Sequence, residues 1–354
     1  MTLDEYRNRW VAVVSLLDKP WIVMAESTNP DPNKNDSYTG HLQIGQLTES
    51  SWIPSIEKNT RYFTQVQVHT IRGTPFMYIL SLSQRTKSVI HRFDALTSSV
   101  SRMQRLPKAS GALMFEDYYD GKPALLLMLF VNERRIRMFA MPQNSSKFIL
   151  PEVFGYSFPH TTTGKCIRTG EVLCFVGSPT YAVTVLRWDG WTLHRVHHNI
   201  TKLHNLELAN GEESIDTVAF HGHVLVAVSE RKNLGNSKGY FEFDHIVHIF
   251  TLPNNGQFDA ASVQTLQDID EDIYMCKFIQ HEQHLYLLVG LFSRVLVYKY
   301  NQFGQFELTA SVLQSATSAA YFTTYDGQSL LVTARSYIRN SQYSEFPKSS
   351  VYVL

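Results

Sequence analysis

Ile273–Ser311 reads IYMCKFIQHEQHLYLLVGLFSRVLVYKYNQFGQFELTAS. It divides into a hydrophobic strand, a short polar turn, a second and very apolar strand, and a third strand rich in aromatics. The apolar second strand recurs as WIVMA (Trp21–Ala25), MYILS (Met77–Ser81), LLLML (Leu125–Leu129), LCFVG (Leu173–Gly177), VLVAV (Val224–Val228), YLLVG (Tyr286–Gly290) and LLVTA (Leu330–Ala334). The last residues of these strands are 56, 48, 48, 51, 62 and 44 positions apart. That spacing brackets the period of about 40 to 50 residues expected of four-stranded propeller blades.

A third strand follows at a similar offset in six copies: Ser88–Phe93, Arg134–Met141, Ala182–Trp188, His245–Leu252, Arg294–Tyr300 and Ser349–Leu354. Apolar and polar residues alternate in it, as in a strand with one buried face. The expected architecture is therefore all-β, a seven-bladed β-propeller of four-stranded antiparallel blades forming one domain over 1–354. Its approximate repeats are 9–58, 61–108, 109–155, 156–202, 207–268, 269–314 and 315–354. Leu354 closes only a third strand, so Thr2–Arg7 is the candidate for completing the last blade, since a ring must hide its edges. A truncated longer protein is the alternative.

The ends of the chain carry a second ambiguity. Leu3, Tyr6, Trp10, Val13 and Leu17 fall at helical spacing, with Thr2 and Glu5 placed as a capping box. Against a helix, Trp10–Ser15 is rich in β-branched residues and stands where the repeat places a first strand. The strand is the favoured reading.

Composition narrows the function classes. Lys and Arg number 32, as do Asp and Glu, so the formal charge is zero, and no basic run stands out. Nucleic acid and anionic membrane surfaces are poor partners on that balance. No segment is long and apolar enough to span a bilayer, so no membrane insertion is expected. MTLDEYRNRW lacks the basic start and apolar run of a signal peptide, which leaves a cytosolic protein or one whose leader has been removed.

Tyr286–Gly290 followed by Ser293–Phe306 has the form Tyr-Leu-Leu-Val, then Ser-x-Val-x-Val-Tyr-x-Tyr and Gly-x-Phe; Phe76–Leu80 followed by Ser88–Phe93 is similar. These units resemble the EAR (or EPTP) repeats of extracellular seven-bladed propellers. The period covers the whole chain, and the motif is specific in two or three copies. Copy one departs from it through a long polar insertion, copy four through Cys166 and Cys174. The resemblance implies a secreted or cell-surface protein that binds other proteins. Sequons at Asn35, Asn144 and Asn199 are candidate glycosylation sites, of little weight because a chain rich in Asn, Ser and Thr yields a few by chance.

Three cysteines exclude a disulfide-dense scaffold. Cys166 and Cys174 flank Arg168–Glu171. They face each other if the hairpin loop has three residues centred on Gly170, and point to opposite faces if it has two. Buried free thiols are the other reading, and Cys276 is an odd thiol expected in the core.

The catalytic patterns are near misses. Gly235–Gly239 fits G-x-S-x-G but stands in a polar insertion without the strand and helix of a nucleophile elbow. His281-Glu282-Gln283-His284 is one residue short of a zincin motif and sits in a hairpin turn. Asp31, Asn33, Asn35 and Asp36, and again Asp268, Asp270 and Asp272, suggest calcium loops but lack a full set of six to eight oxygens. His221 with His223, and His197 with His198, read as turn or surface positions. His69, Cys166 and Asp216, on expected inner strands, do not repeat across copies. No catalytic residue, metal ligand or cofactor is assigned.

The insertions carry more. Spacers between second and third strands are longest at Glu26–Tyr38, Glu230–Asp244 and Arg335–Lys348. In a propeller these loops share one face, often the binding face. Arg231, Tyr240, Phe241, Arg335, Tyr337, Tyr343 and Phe346 are the candidate partner-binding residues, since exposed aromatics and arginines anchor interfaces. The expected function is a non-enzymatic module presenting these loops to a protein ligand or receptor, with an extracellular setting expected from the resemblance. A propeller enzyme or carbohydrate-binding lectin using the central channel is the alternative. A WD-type scaffold is a third, weakened because Trp188-Asp189 is the only such dipeptide.

Overall fold

The computed structural model describes residues 7–28, 39–47, 52–61, 63–71, 73–84, 86–131, 135–143, 145–154, 163–178, 181–196, 214–237, 240–253, 262–291, 293–312, 316, 318–323, 329–334 and 350–353. Every described element is a β-strand. The first sheet is β1 (Arg7–Leu16), β2 (Lys19–Thr28), β3 (Thr39–Leu47) and β4 (Trp52–Arg61). The second is β5 (Gln65–Thr70), β6 (Phe76–Leu82), β7 (Ser88–Asp94) and β8 (Ser99–Leu106); the third is β9 (Ala109–Tyr119), β10 (Lys122–Val131), β11 (Arg135–Pro142) and β12 (Ile149–Phe154). The fourth holds β13 (Thr163–Thr169), β14 (Glu171–Ser178), β15 (Tyr181–Trp188) and β16 (Leu193–Arg195). The fifth holds β17 (Ile215–Phe220), β18 (His223–Ser237), β19 (Tyr240–Pro253) and β20 (Ser262–Ile269). The sixth is β21 (Ile273–His281), β22 (His284–Leu291), β23 (Val295–Tyr300) and β24 (Phe306–Val312). The seventh has three described strands, β25 (Ser318–Thr323), β26 (Ser329–Ala334) and β27 (Ser350–Val353). Neighbours in each sheet follow chain order, which is what short hairpins between sequential strands produce.

Burial explains why the second strands are apolar throughout. Leu125 to Leu129 of β10 are each at most 1% exposed, so both faces of the strand are covered. The outer strand β24 keeps only Phe306 buried and exposes the six residues that follow. Strand-to-strand turns use left-handed backbone where the twist demands it: Asp120 and Gly121 have φ of 53° and 67°, and His221 and Gly222 have 47° and 77°.

The chain forms two compact units. One takes in 1–110, 144–149 and 317–354, and so holds the first, second and seventh sheets. Between its first two sheets Trp10, Trp21, Leu42, Ile44, Phe63, Ile79 and Phe93 make a continuous core. Each fully buried large side chain contributes on the order of 2–3 kcal/mol. Gly40 is required here: a Cβ on it would collide with the Phe63 ring and Thr60. Phe63, in the link from β4 to β5, in turn packs on Trp10 with ring centroids 5.3 Å apart. On the far side of β1, Val11 and Ile22 meet Val332, and Ser318 Oγ donates to the Val11 carbonyl at 3.5 Å.

The other unit holds 111–143 and 150–316. Its core runs between successive sheets, for example Met128, Met138, Cys174 and Trp188 between the third and fourth. Buried Asp216 on β17 joins three sheets of this unit: it accepts the Phe278 N–H of β21 at 2.8 Å and pairs with Lys165 of β13 at 3.6 Å.

Several expectations meet the structure directly. The N-terminal ambiguity resolves as strand, because Arg7–Leu16 is β1, with Arg7 paired to Thr28. Arg7 therefore belongs to the first sheet rather than to a strand completing the last; Thr2–Tyr6 lie outside the described residues. Within Glu230–Asp244, residues 230–237 and 240–244 are strand rather than loop. The hairpin ladder continues through it, pairing Arg231 with His245, Lys232 with Asp244 and Asn236 with Phe241. Lys232 and Asp244 occupy opposed register positions, and Arg231 stacks across the strands on Phe243 at 3.6 Å, a cross-strand contact that suits a polar stretch. Gly235, Asn236 and Ser237 are thus strand residues, and β19, not a helix, resumes at Tyr240. Most of Glu26–Tyr38 and all of Arg335–Lys348 lie outside the described residues.

Candidate functional site

The second sheet turns one face towards β4, and register arranges that face in rows. Met77, Phe93 and Val100 stand side by side across β6, β7 and β8; next come Ile79, His91 and Arg102; then Ser81, Val89 and Arg105. Moving along the strands, the face changes from apolar core to a polar, basic end. A bulge between Ile90 and His91 keeps Arg102 and Arg105 on the same side of β8 although they are three residues apart.

That basic end is one wall of a cavity of about 350 Å³. Lys58, Asn59 and Thr60 of β4 form the opposite wall, and Lys87 stands at the turn leading into β7. Four cations thus converge, Lys58, Lys87, Arg102 and Arg105, with no carboxylate lining the cavity among the described residues. Nor does a described carboxylate pair with any of the four. Lys58 Nζ donates to the Val100 carbonyl at 3.2 Å, which fixes its reach. The nearby Glu57 is exposed and takes a hydrogen bond from Gln43 at 3.1 Å instead.

Two buried polar groups form the inner part of the cavity. Ser81 and His91 are each 5% exposed, and neither Ser81 Oγ nor His91 Nδ1 has a hydrogen-bond partner among the described residues. Leaving such a group unpaired costs about 1–3 kcal/mol. Burial, and then the charges of Lys58 and Arg102, push His91 down to about 4, so the ring is neutral at physiological pH. Burial and then Arg102 likewise lower Lys58. Ser81 and His91 are not hydrogen-bonded to each other, so they do not form a nucleophile with its base. The arrangement offers donors and positive charge, which suits holding an anion.

The residues singled out from sequence fall elsewhere. Arg231 is occupied within its own chain: its guanidinium lies 3.6 Å over the Phe243 ring and 4.0 Å from Asp272. Tyr240 and Phe241 are in β19, paired with Ser237 and Asn236 rather than carried on a loop. Arg335, Tyr337, Tyr343, Phe346 and the sequons Asn35, Asn144 and Asn199 lie outside the described residues. Cys166 and Cys174 are directly opposite across a turn centred on Gly170 and form a disulfide. Cys276 is buried and free, its thiol pushed up to about 12 by that burial. Asp270 and Asp272 pair with Arg294, Arg231 and His245, and His281 and His284 face each other across a two-residue turn. No group of three or more metal-ligating side chains occurs among the described residues.

Sequence reading missed the basic cavity because its cations are scattered singly from Lys58 to Arg105 in a chain of zero formal charge. One signal was present. His91 and Arg102 occupy inward positions of strands whose inward neighbours, Phe93 and Val100, are apolar.

No protein-family profile matches the chain, and no curated protein does. Solved structures match at low identity. Sqt1 from Chaetomium thermophilum aligns with a TM-score of 0.56 at 11% identity, over 92% of this chain and 78% of that one. The SapL1 lectin in complex with alpha methyl fucoside gives 0.52 at 10%, over 86% and 96%. A mutant of Aleuria aurantia lectin with alpha-methyl-L-fucoside gives 0.50 at 9%, over 87% and 96%; that lectin is a six-bladed β-propeller. These likenesses show the fold, a β-propeller, and nothing of activity.

Proposed function

We propose that this chain is a non-enzymatic recognition module, a seven-bladed propeller of the EAR-repeat kind working outside the cell, that binds an anionic ligand between its first two sheets. The observation that carries this is the cavity between β4 and β6–β8, where Lys58, Lys87, Arg102 and Arg105 converge without a carboxylate among the described residues. Like charges held together are unfavourable unless something opposes them, and an anion does so. The seven consecutive sheets support seven blades. The Cys166–Cys174 disulfide supports an oxidising compartment. A ligand presented by a protein partner fits the notion of a rigid scaffold.

A lectin is the second reading, favoured by a cavity large enough for a sugar ring as well as its charged substituent. The fucose-binding neighbours have the same fold, and an acidic sugar would suit this chain's cations better than a neutral one.

The test is calorimetric titration of the full chain with chloride, acetate, citrate, phosphate and sulfate at constant ionic strength. Saturable binding of at least one anion, lost in the double variant Arg102→Ala, Arg105→Ala, is the expected result. Binding of none of them overturns the reading.

A further inference from the structure

Resting on the anion-binding reading above, we infer that the cavity is built for a terminal tetrahedral oxyanion, a sulfate or phosphate monoester, rather than for a carboxylate. Three features of the wall point to this chemistry.

The donors approach from several directions. Lys58 comes from β4 on one side, Arg102 and Arg105 from β8 on the other, Lys87 from the β6–β7 turn, and Ser81 and His91 from the strands between. A carboxylate has two coplanar oxygens and is best met by a single arginine fork. A monoester presents three terminal oxygens spread around an axis, and so meets donors from three sides at once.

The inner donors are neutral and the outer ones charged. Ser81 can donate through Oγ–H, and the neutral His91 ring through Nδ1–H in one of its tautomers. Both residues line the cavity, and the two atoms are buried with no described partner. Two inner bonds to one or two oxygens leave a third oxygen for the four cations, which a carboxylate lacks. Total charge favours the phosphate member of this class, which carries nearly two negative charges at neutral pH, whereas a sulfate monoester carries one, as a carboxylate does, and is set apart from it by its third oxygen alone.

The volume, about 350 Å³, exceeds what a bare tetrahedral ion fills. The ester oxygen and part of its carrier fit as well. An ester-bound group on a sugar and one on a tyrosine or serine side chain share this chemistry, so the probes must separate them.

The experiment titrates the full chain, at pH 7 and constant ionic strength, with sodium sulfate, sodium phosphate and sodium acetate. Glucose 6-sulfate, glucose 6-phosphate, O-sulfotyrosine and O-phosphoserine follow. Sulfate or phosphate is expected to bind at least about tenfold tighter than acetate, the worth of one added charge-assisted hydrogen bond. One pair of esters should improve on its free ion, and which pair does so identifies the carrier. Ser81→Ala and Arg105→Ala should each lose about tenfold for the tetrahedral ions and change acetate little, while Arg135→Ala, on β11 and not among the cavity-lining residues, changes nothing. Ser81→Ala removes an unpaired buried hydroxyl and Arg105 is exposed, so both variants are expected to fold, checked by far-ultraviolet circular dichroism. Acetate binding as tightly as sulfate and phosphate overturns this inference and leaves the anion-binding reading standing. Tetrahedral-ion affinity unchanged in both variants overturns the inference as well. Saturable binding of no anion overturns both.

Discussion

Arg294 and Arg102 put the same side chain to opposite uses. Arg294, just before β23, lies between Asp270, which accepts a short hydrogen bond from it, and Glu271 at 3.7 Å. In the same cluster Asp272 takes Arg231 at 4.0 Å and His245 at 3.4 Å. Every described charge there finds its opposite within the chain. Arg102 instead shares its surroundings with Lys58 and His91, and depresses the proton affinity of both. The first cluster is complete and fastens strands together; the second has one sign only among the described residues, and on the proposed reading an anion completes it. Charged clusters in a propeller are therefore not equal as site candidates, and what separates them is whether the chain supplies the counter-charge.

The comparison can be broken most sharply by giving the cavity the carboxylate it lacks. Arg102→Glu is expected to lower sulfate and phosphate affinity by roughly a hundredfold or more, since like charge at a binding surface costs several kcal/mol. The chain itself should become no less stable, because the new carboxylate faces Lys58. Retained affinity, read by calorimetry, would show that the two clusters do not differ in the way described.

The second prediction concerns pH. His91 has its native pKa, about 4, below the ordinary 6.5. Between those values the unfolded chain binds the proton and the native one does not, so stability rises with pH across that window. It is lost as pH falls from 6.5 and is gone below about 4, roughly 3 kcal/mol in all. The groups facing the ring, Lys58, Lys87, Arg102 and Arg105, are all cationic, so nothing in the cavity offsets the proton. Urea unfolding midpoints at pH 7 and 4.5 should move further apart in the native protein than in His91→Gln. Added phosphate should shrink the difference; an equal difference in both proteins would refute the assignment to His91.

Lys58→Met tests a single wall residue and should cost anion affinity about tenfold, the scale of one charged hydrogen bond. It should also raise the His91 pKa by removing one of the two charges that lower it, measurable by the imidazole proton shifts. Asp272→Asn, in the closed cluster, should change stability by less than about 1 kcal/mol because its partners meet it at a half-exposed position. Anion affinity should not change. An effect of Asp272→Asn as large as that of Lys58→Met would erase the distinction between the clusters.

The sequence showed the fold and hid the site, for related reasons. Leu125–Leu129 and Val224–Val228 are legible because a strand covered on both faces admits few other residues, so their pattern survives wherever the strand lies. Glu230–Asp244 was misread because polarity resembles a loop, yet a ladder can run through polar residues when Arg231, His245 and Phe243 pair across it. The cavity was invisible because no local period connects Lys58 to Arg102. Only the antiparallel register of β7 with β6 and β8, and the approach of β4, assemble it. Local rules write the strands, and non-local pairing writes the site.

The bare Cα of Gly40 has an effect that reaches the cavity. It admits the Phe63 ring, which seats against Trp10 and so pins the link between β4 and β5, the chain that connects one wall to the sheet forming the other. Arg102 acts on Lys58 as a like charge across the cavity, and a pinned link between the walls is what like charges held together require. The work of crowding the cations is thus completed during folding, and an arriving anion meets donors already in place. A ligand held this way loses little affinity to ordering its host. On the proposed anion-binding reading, Gly40, which is not among the residues lining the cavity, would thus help to set how tightly the anion is held.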